Sequence, residues 1–238
     1  MAEDRRLTWD NCTNVRDLGG LKTRDGHVTR RGAVVRSDHP ARLTAEGWSA
    51  LHAHGVRTII SLGTEGMTED KPDTAPRPGD ITTVSVNIED VTDHTSEFVQ
   101  RWGTSDLWCT PLYYRDALKH WPERHANALK AIAHAQPGGV LFHCVRGVDR
   151  TGIVALLLLA LVGVEADDII ADYELSVDPE REKLLAGENT TTREVLLNTL
   201  AALDVETYLR KGGMSQADLD ALRARFLESS GAEDTENA

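Results

Sequence analysis

Apolar and polar positions divide the chain into alternating predicted strands and helices. Short β-branched or apolar runs, typical of buried strands, lie at 33–38, 57–62, 81–88 and 140–143. Apolar residues at helical spacing, or in a longer apolar segment, lie at 48–56, 126–133 and 153–164. Strands that alternate with helices predict an α/β fold, with a central and mostly parallel sheet flanked by helices.

The length of 238 residues suits one domain with a substantial core. We expect a single domain over residues 1–230 and a disordered acidic tail over 231–238. The apolar segment 153–164 is too short to span a bilayer, so it is predicted to be a buried helix and not a membrane span. Residues 1–6 are charged and no apolar stretch follows them, which predicts that the chain has no signal peptide.

The apolar run 140–143 ends in His143 and Cys144, and a short loop follows. Gly147 permits a tight turn, and residues 150–152 open the next helix. A strand, a loop and a helix N-terminus in this order bring backbone N–H groups together, which makes an anion site. The helix N-terminus also favours the thiolate of Cys144. The sequence therefore predicts a phosphate site above a cysteine nucleophile.

The loop residues have expected chemical roles. Arg150 is expected to bind two phosphate oxygens at once, and together with the loop amides it makes a metal ion or other cofactor unnecessary. In-line attack by Cys144 would give a cysteinyl-phosphate that water then hydrolyses. The predicted phosphate-binding residues are Cys144, Val145, Arg146, Gly147, Val148, Asp149 and Arg150.

The pattern His-Cys-x5-Arg-Thr-Gly at 143–152 resembles the phosphate loop of the protein tyrosine phosphatase superfamily. Its fuller form, Cys-x-x-Gly-x-Asp-Arg-Thr-Gly, is similar to that of bacterial tyrosine and dual-specificity phosphatases, the group that includes mycobacterial phosphatase B. The resemblance implies a protein tyrosine phosphatase-like fold. It also implies a hydrolase that acts on phosphomonoesters through a cysteine nucleophile, as a tyrosine or dual-specificity protein phosphatase.

Two further segments resemble the same family. They are Asn-Val-Arg-Asp-Leu-Gly-Gly at 14–20 and Val-Arg-Ser at 35–37. Because the family places these pieces beside the phosphate loop, four of their residues are expected to brace it: Asn14, Arg16, Asp17 and Arg36.

A proton donor for the leaving group is also required. In the bacterial family the loop aspartate, here Asp149, is proposed for this role. Many other phosphatases of the superfamily use an aspartate on a mobile loop. Asp90 and Asp93 follow the predicted strand 81–88, and they are placed for that second arrangement.

Two neighbours of the nucleophile have predicted supporting roles. Thr151 is expected to donate a hydrogen bond to the sulfur of Cys144, which helps the thiolate to leave in the second step. His143 is expected to orient the loop, because a thiolate needs no external base.

Three positions depart from the family pattern. Val148 stands where lysine is usual, Arg146 replaces a small residue, and Gly63 stands where an arginine often ends the strand. The first two are expected to change the surface that faces the substrate. The substrate is therefore left open between phosphotyrosine, phosphoserine and a small metabolite such as a nucleotide or sugar phosphate. A phosphate-binding protein without activity is a further alternative, which the intact pair of Cys144 and Arg150 disfavours.

Charge and cysteine content limit the partners and the compartment. The net charge of −12 argues against nucleic acid or anionic membrane as a general partner, so a phosphorylated substrate is the expected one. Cys12, Cys109 and Cys144 are odd in number and show no metal-binding spacing. Reduced thiols in a cytoplasmic protein fit this composition best.

Overall fold

The computed structural model describes residues 5–69, 71–176 and 179–228. Five strands form one sheet in the order β1-β2-β5-β3-β4. Their bounds are β1 Arg16–Asp17, β2 Val34–Ser37, β3 Val56–Glu65, β4 Thr82–Asp90 and β5 Gly139–His143. The last four strands are parallel and β1 is antiparallel at one edge, which confirms the predicted α/β fold with a mostly parallel sheet. The single domain over 1–230 stays a prediction, and the expected tail at 231–238 lies outside the described residues.

Helices pack on both faces of this sheet. In the described ranges their bounds are α1 Ala45–Ala53, α2 Glu97–Trp102, α3 Tyr114–His120, α4 Pro122–Ala133, α5 Asp149–Leu161, α6 Ala166–Glu174, α7 Pro179–Gly187, α8 Thr192–Ala201, α9 Val205–Lys211 and α10 Gln216–Phe226. Helix starts follow the local sequence: at α1 the Thr44 side chain accepts a hydrogen bond from the N–H of Gly47, as an N-cap threonine does. No helix in the described part of the chain is long and apolar enough to cross a membrane.

Alternate side chains of β5 enter two separate parts of the core. Val140 and Phe142 pack on the side of α4 and α5, whereas Leu141 packs on the side of α1 with Trp48 and Ile59. Because the strand is buried on both faces, its sequence is a continuous apolar run. The predicted buried helix is α5, and it begins at Asp149, directly after the loop that follows β5. Burial of this strand and helix therefore fixes both ends of the loop.

Two histidines are buried in the folded chain. His125 is 0% exposed in α4, and His143 is 3% exposed at the end of β5. Burial lowers the pKa of each ring to about 3, whereas an unfolded chain has a histidine pKa of about 6.5. Both rings are therefore neutral at every pH at which the fold is ordinarily studied.

We expect the free energy of unfolding to decrease as the pH falls from about 6.5 toward 3. In this window the unfolded chain binds a proton at each of these histidines and the folded chain does not. The free energy of unfolding therefore falls by about 1.4 kcal/mol per pH unit for each histidine. Urea unfolding at pH 7, 6 and 5 measures the slope, and His125→Gln should remove the share of one histidine. A free energy of unfolding that stays constant between pH 7 and 5 would contradict the buried, neutral state.

Candidate active site

Cys144 lies at the carboxyl end of β5, the middle strand of the sheet, directly before the loop 145–148. It is 5% exposed and borders a cavity of about 160 Å³. Gly147 makes the turn of the loop with a φ of 69°, and a Cβ there would lie 2.4 Å from the carbonyl oxygen of Ser37. Only glycine meets both conditions. The strand, loop and helix that the sequence predicts are therefore present, with the thiol at their junction.

The carbonyl groups of the loop point toward donors on neighbouring segments. Three of them accept hydrogen bonds there: Val145 O from the His39 N–H (3.3 Å), Arg146 O from Asn14 Nδ2 (3.1 Å), and Gly147 O from Asn14 Nδ2 (3.0 Å) and Arg36 Nη2 (2.8 Å). At the start of α5, Asp149 O likewise accepts from the Tyr114 hydroxyl (2.8 Å). In a trans peptide the C=O of one residue and the N–H of the next point in opposite directions. The N–H groups of residues 146, 147, 148 and 150 therefore point away from these donors.

These inward N–H groups meet at the N-terminus of α5. Those of Gly147 and Val148 donate to no group in the described part of the chain. The dipole of α5 adds positive potential at the same point. Unpaired donors at a helix N-terminus bind anions such as phosphate. The geometry therefore supports the predicted anion site beside Cys144.

Arg150 keeps two guanidinium donors on one edge. Its Nη1 donates to the carbonyl of Leu62 at 2.8 Å and to the carboxylate of Glu69, and its Nη2 donates to the other oxygen of Glu69 at 2.7 Å. The Nε is 3.9 Å from Oε2 of Glu89, which is beyond hydrogen-bond distance. Of the five N–H groups of arginine, Nε–H and one Nη2–H thus have no partner in the described ranges. This side-by-side pair can bind two oxygens of one phosphate.

Two glutamates that sequence reasoning missed surround this guanidinium. Glu69 follows β3 and lines the same cavity as Cys144. Glu89 in β4 is 2% exposed and accepts hydrogen bonds from the hydroxyls of Thr64 (3.0 Å) and Tyr113 (2.9 Å). Burial raises the pKa of Glu89, which favours its neutral form beside Arg150. Glu69 is the glutamate that accepts hydrogen bonds from the arginine.

A buried ion cluster supports the loop from behind. Asp172 of α6 pairs with Arg5 (3.0 Å), Arg16 (2.9 Å) and Arg36 (2.6 Å), and all four side chains are buried. Burial alone would raise the pKa of Asp172, but Arg16 and Arg36 outweigh it and the pKa is lowered. Arg16 also donates to Asn14 at 2.7 Å. The two residues that bind the loop carbonyls from below, Asn14 and Arg36, are therefore both held by this cluster.

Three of the four predicted brace residues support the loop in this way: Asn14, Arg16 and Arg36. The backbone of Asp17 also contacts the cluster, since its carbonyl accepts from Arg5 Nη1 at 3.2 Å, but its side chain bonds elsewhere. Its carboxylate accepts from the N–H groups of Gly19 (2.8 Å) and Gly32 (2.7 Å). An aspartate whose oxygen bonds an N–H two residues later forms an Asx turn, so Asp17 shapes the chain turn and not the phosphate site.

Asp149 lies beside the loop and is held by an arginine that sequence reasoning did not identify. Both of its carboxylate oxygens accept from Arg181 of α7, each at 2.6 Å. Two parallel N–H···O bonds of this kind fix the orientation of the carboxylate. Arg181 is 4% exposed, so the pair is shielded from solvent. Asp149 thus lies beside the loop, with both carboxylate oxygens engaged by Arg181.

Asp90 and Asp93 do not line the cavity beside the nucleophile. Asp90 accepts from Thr92 and from Arg124, the latter at 2.6 Å, and Asp93 accepts from Thr95. These bonds lower the pKa of both carboxyl groups. A lowered pKa is the opposite of what a proton donor needs at neutral pH.

The predicted roles of Thr151 and His143 beside the nucleophile differ in outcome. The Thr151 hydroxyl is buried and has no hydrogen-bond partner among the described residues, so the expected bond to the sulfur of Cys144 is not formed. The ring Nδ1 of His143 lies 3.1 Å from the carbonyl oxygen of Cys144. Because a carbonyl oxygen can only accept, Nδ1 carries a proton and donates it to this hydrogen bond. His143 thus orients the backbone at Cys144, which agrees with the predicted role.

The three departures from the family pattern have different surroundings. At Gly63 a Cβ would lie 2.3 Å from Oδ1 of Asn87, which lines the cavity beside Cys144, so a larger residue there requires the Asn87 side chain to shift. Arg146 is exposed and Val148 is largely buried. Both line a second cavity, of about 390 Å³.

Comparison with known proteins agrees with this arrangement. A model of the tyrosine phosphatase family matches residues 7–228. The chain belongs to the tyrosine phosphatase family. The resemblance found in the sequence is thereby confirmed.

Three curated relatives and one solved structure are similar to this chain. Triple specificity protein phosphatase PtpB of Mycobacterium tuberculosis is 40% identical over 271 aligned residues, which cover 90% of this chain and 96% of that protein. A putative tyrosine-protein phosphatase of Cupriavidus necator is 31% identical over 169 residues, and a tyrosine-protein phosphatase of Nostoc commune is 35% identical over 146. These matches cover 70% and 60% of this chain, but only 61% and 48% of those two relatives. The structure of TpbA from P. aeruginosa with pTyr has a TM-score of 0.45 at 13% identity, covering 79% of this chain and 91% of that one.

We expect Asp172→Asn to lower the free energy of unfolding by about 3–5 kcal/mol, because it leaves three buried arginines without their carboxylate. Urea unfolding at pH 7 measures the change. Asp204→Asn is the matched control, since Asp204 is an exposed N-cap of α9 and asparagine caps a helix about as well. Equal midpoints for the two variants would contradict the supporting role of the cluster.

Proposed function

We propose that the protein is a cysteine-dependent phosphomonoesterase of the protein tyrosine phosphatase type. The observation that carries this proposal is the donor set around Cys144: inward loop amides, the N-terminus of α5 and the open edge of Arg150. Such a set matches the oxygens of a phosphate monoester dianion. The nucleophile and the phosphate donors are in place together, which argues against a phosphate-binding protein without activity.

The proposed reaction has two steps. The thiolate of Cys144 attacks phosphorus in line, a P–S bond forms, and the ester P–O bond breaks with its electron pair on the leaving oxygen. Water then attacks the cysteinyl-phosphate, the P–S bond breaks, and inorganic phosphate and the thiolate are released. Arg150 and the loop amides stabilise the three other oxygens in both steps, so no metal ion is required.

Phosphotyrosine is the proposed substrate group, because none of the three candidate aspartates is well suited to donate a proton. Such a site favours a substrate whose leaving group needs little help from an acid. Both oxygens of Asp149 are engaged by Arg181, and the pKa values of Asp90 and Asp93 are lowered. A phenol, with a pKa of about 10 in tyrosine, leaves with less help from an acid than the hydroxyl of serine or of a sugar does. The names of the Cupriavidus and Nostoc relatives, both tyrosine-protein phosphatases, point the same way.

Composition supports the rest of the proposal. Cys12, Cys109 and Cys144 are free thiols, as is usual in the reducing cytoplasm, so we propose a cytoplasmic location. The net charge of −12 makes nucleic acid an unfavourable partner. The proposed partner is a tyrosine-phosphorylated protein.

We expect Cys144→Ser to abolish turnover of p-nitrophenyl phosphate, because a serine hydroxyl is not ionised at neutral pH. Cys109→Ser, the matched control at an exposed thiol, should keep wild-type turnover. Thermal unfolding checks that both variants fold. Turnover retained by folded Cys144→Ser would refute the proposed mechanism.

We expect Glu69→Gln to lower kcat about tenfold, since Arg150 then loses the charged partner that turns its open edge toward phosphate. Steady-state kinetics with p-nitrophenyl phosphate separates kcat from KM. Glu46→Gln, an exposed position in α1, is the control. An unchanged kcat with a lower KM would show instead that Glu69 competes with phosphate for Arg150.

A further inference from the structure

The strand β4 forms one edge of the sheet, and among the described residues β3 is its only partner strand. Residues 82–85 and Asn87 are exposed. Natural proteins protect an open sheet edge with charged side chains, proline or a bulge. Residues 82–86 include no charged residue and no proline, and the irregular pairing with β3 lies beyond them, at Gly63 and Thr64. This stretch of β4 is therefore an open edge of regular strand.

The hydrogen bonds of β5 show which main-chain groups of β4 face outward. Val140 has its side chain on the side of α4 and α5, and its N–H donates to the carbonyl of Ala33, directly before β2. In parallel strands, residues whose side chains share a face turn their N–H and C=O groups to the same lateral side. Residues on the opposite face, that of α1, therefore turn theirs away from β2. In β4, which is the last strand on that side, this direction is outward.

Three residues of β4 have their side chains on the face of α1: Thr83, Ser85 and Asn87. Thr83 pairs with Ile59, which packs in the core on that side, and alternation places the other two on the same face. The N–H and C=O groups of these three residues therefore face outward. In agreement, the carbonyl of Asn87 accepts from Arg124 of α4 at 3.4 Å. In the described part of the chain, no group outside the sheet bonds to the main chain of residues 82–86.

The same face of β4 borders the cavity of the nucleophile. Ser85 and Asn87 line this cavity together with Ser61 and Gly63 of β3 and with Cys144. The side chain of Ser61 is small and Gly63 has none, so β3 forms a low floor between Cys144 and the edge. Neighbouring strands are about 4.8 Å apart, which places β4 about 10 Å from β5. The edge is thus within reach of a long side chain whose end is bound at the phosphate loop.

We infer that the substrate peptide binds as an additional strand on the outer edge of β4, while its phosphotyrosine reaches across β3 to Cys144. In this mode main-chain hydrogen bonds supply affinity, whatever the side chains of the peptide. The occupant is the substrate because Ser85 and Asn87 belong both to the edge and to the cavity. A nucleotide or sugar phosphate has no main chain to pair with the edge. The inference rests on the proposed phosphatase function.

A phosphotyrosine peptide and variants of it that each carry one N-methylated peptide bond test the inference. An added strand turns the N–H groups of alternate residues toward β4. We therefore expect kcat/KM to fall about three- to tenfold at every second position, and to stay near that of the parent peptide at the positions between. An equal effect at adjacent positions, or no effect at any, would overturn the inference.

Thr83→Pro removes one outward N–H from β4, and proline is tolerated on an edge strand where the N–H faces solvent. We expect the ratio of kcat/KM for the unmethylated peptide to that for p-nitrophenyl phosphate to fall about three- to tenfold. Thr83→Val is the matched control, because it loses the same hydroxyl, which accepts from Arg77, but keeps the N–H. It should keep the wild-type ratio. Thermal unfolding checks that both variants fold.

Turnover of p-nitrophenyl phosphate, which has no peptide main chain, tests the phosphatase function separately. If it is hydrolysed while the N-methylated peptides show no alternation, the inference is wrong and the phosphatase function stands. Size-exclusion chromatography tests the other occupant of an open edge, a second copy of the chain. If the wild type elutes as a dimer and Thr83→Pro as a monomer, the edge serves self-association and the inference is again wrong.

Discussion

The ion cluster of Asp172 with three arginines fixes the direction of the phosphate loop. A short loop left to itself would turn its N–H groups toward water or toward its own carbonyls. Here Arg36 and Asn14, held by the cluster, bind the carbonyls of residues 146 and 147 from below. Peptide planarity then turns the N–H groups to the other side. A buried ion cluster is a weak source of stability, so its main consequence is this geometry.

The arrangement of hydrogen-bond partners also determines which N–H groups of Arg150 stay open for phosphate. A guanidinium hydrogen-bonded to two carboxylates would have few N–H groups left for a phosphate. The structure avoids this because Oε2 of Glu89 lies 3.9 Å from Nε of Arg150, beyond hydrogen-bond distance. Glu69 accepts hydrogen bonds from both Nη1 and Nη2 at the end of the guanidinium, and the carbonyl of Leu62 accepts one more from Nη1. The remaining N–H groups, on Nε and Nη2, form an edge whose geometry matches two phosphate oxygens.

Sequence reasoning predicts what is decided by neighbouring residues. The run from His143 to Gly152 specifies a strand, a turn that needs glycine and a helix start, and the structure contains all three. Partners that are distant in sequence carry no such signal. Glu69 lies 81 residues from Arg150, and Arg36 lies 136 residues from Asp172. Only the fold brings them together.

Asp172 is an example of a residue whose burial can be predicted from the sequence while its partners cannot. It stands on α6 among Ile169, Ile170 and Tyr173, all of them buried, so helical periodicity already indicates a buried carboxylate. A buried carboxylate requires a cation, but periodicity does not say which one. Similarly, the resemblance at 14–20 marks a segment near the loop without separating Asn14, which binds it, from Asp17, which closes a turn.

The distribution of charge also reconciles an acidic protein with an anionic substrate. At distances beyond about 8 Å in physiological salt, the charges of the surface are largely screened. A large polyanion would still meet many of them at close range, and with a net charge of −12 most of those contacts would be repulsive. A phosphate monoester places its dianion only at the loop, where the amides and Arg150 supply donors. Local cations on an acidic surface therefore favour a compact anionic epitope over an extended polyanion.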